Sequence, residues 1–208
     1  MSIPKDTYKA DRVGWVKLAR VLSNVISPPT MFAATGLALG IYERGWWPGF
    51  GWGAFYAIVT ALTPMLTVIY LLRTGRIDDL HMSATHERHL PYLTAAASGA
   101  AVYALLTLLS GPALLRCLAV FNVITLSALG LINSRWLISI HATAAAATWL
   151  IITFVFGAVA GLVALPVAVL ICLVRLYLRR HTTGQIVAGA ALGLTVVLAM
   201  RVAGCFVV

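Results

Sequence analysis

The chain has 208 residues, of which 61% are hydrophobic and only 10% charged. Soluble domains carry about 25% charged residues, so the composition excludes a soluble globular enzyme and calls for an integral membrane protein with room for one compact helical bundle. Fifteen Lys and Arg against six Asp and Glu give a net charge of +9. Scattered between apolar segments, that charge argues against a nucleic-acid partner and for anionic headgroups or a phosphate group.

Residues 1–21 form a basic juxtamembrane lead-in without a cleavable signal pattern, with Trp15 at headgroup depth. Residues 22–208 read as a single transmembrane domain. A transmembrane helix needs about 20 mostly apolar residues, and seven segments qualify. The first runs from Leu22 to Tyr42, with Pro28-Pro29 making its start kinked or non-helical. The Gly/Trp/Pro stretch ERGWWPGFGWG then reads as a turn in an interfacial aromatic belt. The second runs from Ala54 to Leu72, followed by a polar stretch from Arg73 to His89. The third runs from Pro91 to Leu109, with Ser110-Gly111-Pro112 turning the chain. The fourth runs from Ala113 to Ile132 and carries Arg116 and Asn122. The fifth spans Ala142 to Val159, with a turn expected at Gly161. The sixth spans Val163 to Leu178 and the seventh Gln185 to Phe206. The expected fold is therefore all-α, a polytopic transmembrane bundle of six to seven helices. Cys117, Cys172 and Cys205 lie in apolar segments without CxxC spacing and read as core or lipid-facing residues outside any disulfide framework.

Three polar junctions carry histidine. They are HMSATHER from His81 to Arg88, the SRWLISIHA stretch with Ser139 and His141, and RLYLRRHTTGQ from Arg175 to Gln185. Two spans separate each junction from the next, so alternation places all three on one side of the bilayer. Lys5, Lys9, Arg12, Lys17, Arg20, Arg73, Arg76, Arg179 and Arg180 fall on that same side, which the positive-inside rule assigns to the cytoplasm.

Each junction has two readings. Arg175 ends a membrane-length segment, where an arginine costs roughly 2.5–3.5 kcal/mol on insertion scales. His181 and Gln185 share a helix face if the last helix begins near Thr182, and Thr182 and Thr183 are suitable N-caps. A glutamine there can orient an imidazole, and the helix start favours an anion. The plainer reading is a basic cluster that snorkels to headgroups. Ser139 and His141 are either a paired polar site or a helix-capping serine beside an interfacial histidine. His81 and Arg88 share a helix face at two turns' spacing. Asp78, Asp79, His86, Glu87 and His89 beside them allow a metal site or, more simply, a solvated polar loop.

Together the junctions resemble the three motifs of the type 2 phosphatidic acid phosphatase superfamily of membrane phosphatases. These are Lys-x6-Arg-Pro, Pro-Ser-Gly-His and Ser-Arg-x5-His-x3-Asp. Here they read His81-x6-Arg88 with proline at 91, Ile138-Ser139-Ile140-His141, and Val174-Arg175-x5-His181-x3-Gln185. The resemblance covers about residues 73–207. It implies that His181 attacks phosphorus, forming a phosphohistidine. His141 would protonate the leaving oxygen and then activate water. Arg88, Arg175 and Ser139 would hold the phosphate, with His81 in the place of the clamp lysine. Gln185 would take the place of the aspartate that orients the nucleophile. No metal and no cofactor is implied. The implied substrate is a membrane lipid phosphate or an isoprenoid diphosphate.

Three departures stand out. His81 replaces lysine, for which Arg76, Arg135 or Arg180 would compensate. Ile140 replaces glycine. Gln185 replaces a carboxylate, and in a serine-protease triad the acid-to-amide change costs about 10⁴ in kcat. These losses support the alternative of a non-catalytic structural or binding subunit on a degenerate phosphatase fold. A transporter or prenyltransferase has less behind it, since Asp78-Asp79 alone is a thin diphosphate motif.

Overall fold

The computed structural model describes residues 3–77 and 89–208. Among these residues the chain is all helical: a short 3₁₀ turn at Lys9–Asp11, then α1 (Gly14–Val25), α2 (Pro28–Arg44), α3 (Trp46–Arg73), α4 (His89–Leu108), α5 (Ala113–Asn133), α6 (Ile140–Phe156), α7 (Ala158–Tyr177) and α8 (Thr183–Val202). Five helices, α3, α4, α5, α7 and α8, are long and apolar enough to cross a membrane, and α1 with α2 makes a sixth if the two form one broken span. The protein is thus consistent with a multi-pass membrane protein. α6, at 17 residues, is shorter.

The chain divides into two compact units. One comprises Met1–Met31, Ile138–Leu198 and Val207–Val208; the other comprises Phe32–Leu137 and Ala199–Phe206.

In the first unit α6 packs on α7, and α1 lies against α7. Their shared core is Ala19, Ala145, Ile171, Val174 and Leu178, with Val16, Leu22 and Ile26 packed against it. α1 ends at Val25 with Ile26 as its C-cap, and the following prolines take the first positions of α2, where their missing N–H costs nothing. The expected kink at Pro28-Pro29 is therefore a break between two helices. A single residue, Gly157 at φ +90°, joins α6 to α7. The turn expected at Gly161 is not there. Gly161 lies inside α7, its missing Cβ makes room for Thr153, and its carbonyl accepts from Trp149 Nε1 at 3.1 Å.

In the second unit α3 packs on α4 and α4 on α5. α3 starts at Trp46, eight residues before the expected Ala54, because the stretch read as a turn is helical. Its glycines serve close packing: a Cβ at Gly49 or Gly53 would strike the backbone of α2 at Gly40 and Leu37. Trp46 and Trp47 remain exposed, as an aromatic belt requires. The Ser110 turn is as expected, with Ser110 at φ 52°. The Glu43 carboxylate accepts from the N–H groups of Ala113 and Leu114 at 2.7 and 2.8 Å, and so caps α5. Cys117 and Cys205 form a disulfide with a Cα–Cα distance of 5.7 Å, which corrects the expectation of no bridge. The partners are 88 residues apart, so no local spacing announces them. Cys172 is a free thiol.

Candidate active site

The link from α7 to α8 is closed at both ends. At the end of α7, Arg179 adopts the left-handed conformation at φ 56°. Arg180 N–H donates to Arg175 O at 3.1 Å and Arg179 N–H to Leu176 O at 2.9 Å, the two bonds of a Schellman cap. At the start of α8, Gln185 Oε1 accepts from Thr182 N–H at 2.9 Å while Thr182 Oγ1 accepts from Gln185 N–H at 3.4 Å. That reciprocal pair is a capping box, spelled Thr-x-x-Gln in the sequence. His181 sits between the two caps, 8% exposed, with Gln185 at 6%. The Gln185 carbonyl oxygen, expected to orient the imidazole, is engaged by the Thr182 backbone.

Ser139 caps α6, its Oγ accepting from Ala142 N–H at 3.3 Å. The capping reading of Ser139 therefore holds, and it does not displace the other. Ser139 is fully buried, and its N–H donates to Gln185 O at 3.1 Å. A Cβ on Gly189 would lie 2.5 Å from Ser139 O, and one on Gly193 would strike Thr143 O. The starts of α6 and α8 thus meet backbone to backbone, which brings the second and third junctions together.

Arg175, in the last turn of α7, reaches His181: Nη2 lies 3.4 Å from His181 Nε2. A guanidinium only donates, so this contact uses an unprotonated Nε2 on His181. His141 Nε2 lies 3.3 Å from the Ser23 carbonyl. A carbonyl only accepts, so this contact uses a protonated Nε2 on His141. At Nε2 one imidazole accepts and the other donates. Arg175 Nη1 donates to Ser23 Oγ at 3.0 Å. Ser23 is buried on α1 and belongs to no sequence motif. Its signal is a Ser-Asn pair after the apolar Val21-Leu22, with Ser23 four residues after buried Ala19.

The N-terminal segment is bound to the same link. Asp6 is 1% exposed and pairs with Arg20 at 3.0 Å and Arg180 at 2.9 Å. Burial pushes the Asp6 carboxyl up, but the hydrogen bond and charge of Arg180 and the charge of Arg20 outweigh it and hold it below its ordinary range. Lys5 N–H donates to Leu178 O at 3.1 Å, and Lys5 Nζ sits 3.9 Å above the Tyr177 ring. Arg180, expected as one stand-in for the clamp lysine of the resembled motif, is thus committed to Asp6. Arg76 and Arg135 are exposed. His81 and Arg88, with the carboxylates and histidines of the alternative metal site up to Glu87, lie outside the described residues, as does the side chain of His89.

No family model, no curated protein and no solved structure matches the chain.

Proposed function

We propose that the protein is a membrane phosphatase acting on a lipid phosphate or an isoprenoid diphosphate through a phosphohistidine. The observation that carries the reading is the contact of Arg175 with His181, with His141 placed beside the same Ser23 that anchors Arg175. In the proposed cycle Arg175 transfers its N–H donors to phosphate oxygens, together with Ser139 and Arg88. His181 Nε2 forms a bond to phosphorus as the bond to the leaving oxygen breaks, and His141, as an imidazolium with Nε2 held on the Ser23 carbonyl, gives that oxygen its proton from Nδ1. His141 then takes a proton from water, the water oxygen bonds to phosphorus, the P–N bond breaks, and inorganic phosphate leaves. Phosphoryl transfer asks mainly for positioning and charge stabilisation, and arginine's planar fork suits phosphate oxygens.

The test is phosphate release by the purified, folded protein from phosphatidic acid, phosphatidylglycerol phosphate, and C15, C20 and C55 isoprenoid mono- and diphosphates. Hydrolysis inhibited by vanadate, with an acid-labile phosphoryl label that disappears in His181→Ala, is the expected result. Silence across the panel, or full activity in His181→Ala, overturns it.

One observation favours a second reading, a non-catalytic membrane subunit: Gln185 stands where the family has a carboxylate and spends its carbonyl on the helix cap. Copurification with a stoichiometric partner and no turnover would select it.

A further inference from the structure

The first 72 residues carry none of the three motifs, yet α1 sends one residue into the site. Ser23 is 4% exposed and makes two contacts with two different helices. Its hydroxyl oxygen accepts from Arg175 Nη1 on α7. Its carbonyl oxygen meets His141 Nε2 on α6. The carbonyl is free for this role because α1 ends two residues later: the Ile26 N–H returns to Leu22 O at 2.8 Å, and the Ser27 N–H goes to Thr30 Oγ1 at 3.1 Å. Ser23 O is therefore one of the carbonyls a helix end leaves without a backbone partner, at the pole that favours a positive N–H. On Arg175, the two terminal nitrogens are held on different partners, Nη1 by Ser23 and Nη2 by His181. Two contacts on one planar fork fix both its position and its plane.

We infer that Ser23 is a positioning residue of this site, one that sets the guanidinium of Arg175 for phosphate while its carbonyl holds the N–H of His141. The inference rests on the phosphatase reading. It assigns the N-terminal helix to the active site, so that a chain lacking α1 would bind phosphate poorly even with all three motifs intact.

The experiment compares wild type, His181→Ala, Ser23→Ala and Ser23→Thr on the best substrate of the panel, with Ser98→Ala as a buried-serine control in the other unit. A hydrogen bond to a charged group is worth enough for about a tenfold effect or more. Ser23→Ala is expected to raise KM and the vanadate inhibition constant about tenfold, with a smaller change in kcat. Ser23→Thr, which keeps the hydroxyl, is expected to restore most of the loss. The acid and base limbs of kcat/KM against pH should stay in place, since the backbone carbonyl on His141 remains. A purely structural role would instead lower the unfolding temperature and kcat together and leave KM and vanadate binding alone. If Ser23→Ala does not fold, Ser23→Cys carries the same test, with similar shape and a poor acceptor. Unchanged KM and vanadate inhibition, with wild type active and His181→Ala inactive, overturns the role of Ser23 and leaves the phosphatase reading standing. An inactive wild type overturns both.

Discussion

Each compact unit buries polar side chains among apolar helices, and the two do so differently. In the second unit the buried polar residues are neutral: Thr35, Ser98, Asn122, Thr125 and Asn133. Tyr56 is fully buried and its hydroxyl accepts from Asn122 Nδ2 at 2.6 Å; Asn133 Nδ2 donates to Tyr92 OH at 2.8 Å. In the first unit the buried polar residues include the ionisable Asp6 and His181, and half-buried Arg175 and His141 join His181 and the buried hydroxyl of Ser23 where helices begin and end. Neutral pairs along a span act as glue between helices, each worth little. Ionisable groups are expensive in a membrane protein and persist where they do chemistry. Burial alone does not separate the two regions. The charge of the buried residues does.

Substitutions at matched positions test that distinction. Under the proposed phosphatase reading, Arg175→Ala should lower kcat/KM by about 10²–10³, the cost of removing a donor from a developing charge. Asn122→Ala should leave kinetics unchanged, and an equal loss in both would erase the contrast. Gly189→Ala should come next. Its Cβ must displace the Ser139 carbonyl, so thermal unfolding should show a loss of about 1–3 kcal/mol together with reduced turnover. Gly51, whose Cβ would meet nothing within 4 Å, should instead gain about 0.5–1 kcal/mol on mutation to alanine.

Asp6→Asn should be milder and should depend on pH. The folded carboxyl titrates below its ordinary 3.8, so its contribution is complete above 3.8 and is lost as pH falls through the lowered value. Unfolding temperatures of wild type and Asp6→Asn should therefore differ at neutral pH and converge under acid; a gap that widens under acid would refute the pairing with Arg20 and Arg180. The smallest effect belongs to Tyr56→Phe, about 0.6 kcal/mol, with unaltered phosphate release.

Hydropathy placed a helix under each of the seven apolar segments, because a run of apolar residues has few other ways to satisfy its backbone in lipid. It misplaced boundaries where glycine has two uses. Gly49 and Gly53 look like a turn on paper and act as packing surface, while Gly157, not Gly161, breaks the chain. Thr182 as a cap was legible from residue type and spacing. What Gln185 does with its carbonyl was not, since a glutamine three residues after a threonine suits a capping box as well as an imidazole. Ser23 and the Cys117–Cys205 bridge were invisible for a shared reason: each depends on residues far apart in sequence, 118 in the case of Ser23 and His141 and 88 for the cysteines.

The four-residue step that pairs Gly189 and Gly193 on α8 with Ser139 and Thr143 on α6 has a consequence for how such a chain drifts. Every amino-acid replacement of a glycine adds at least a β-carbon, and here each would wedge the two helices apart beneath the histidines. The lipid-facing positions around them accept almost any apolar substitute. Divergence is therefore expected to scramble the outer helix faces long before it touches this seam, and a distant cousin should be known by its paired small residues even where its histidine motifs have blurred.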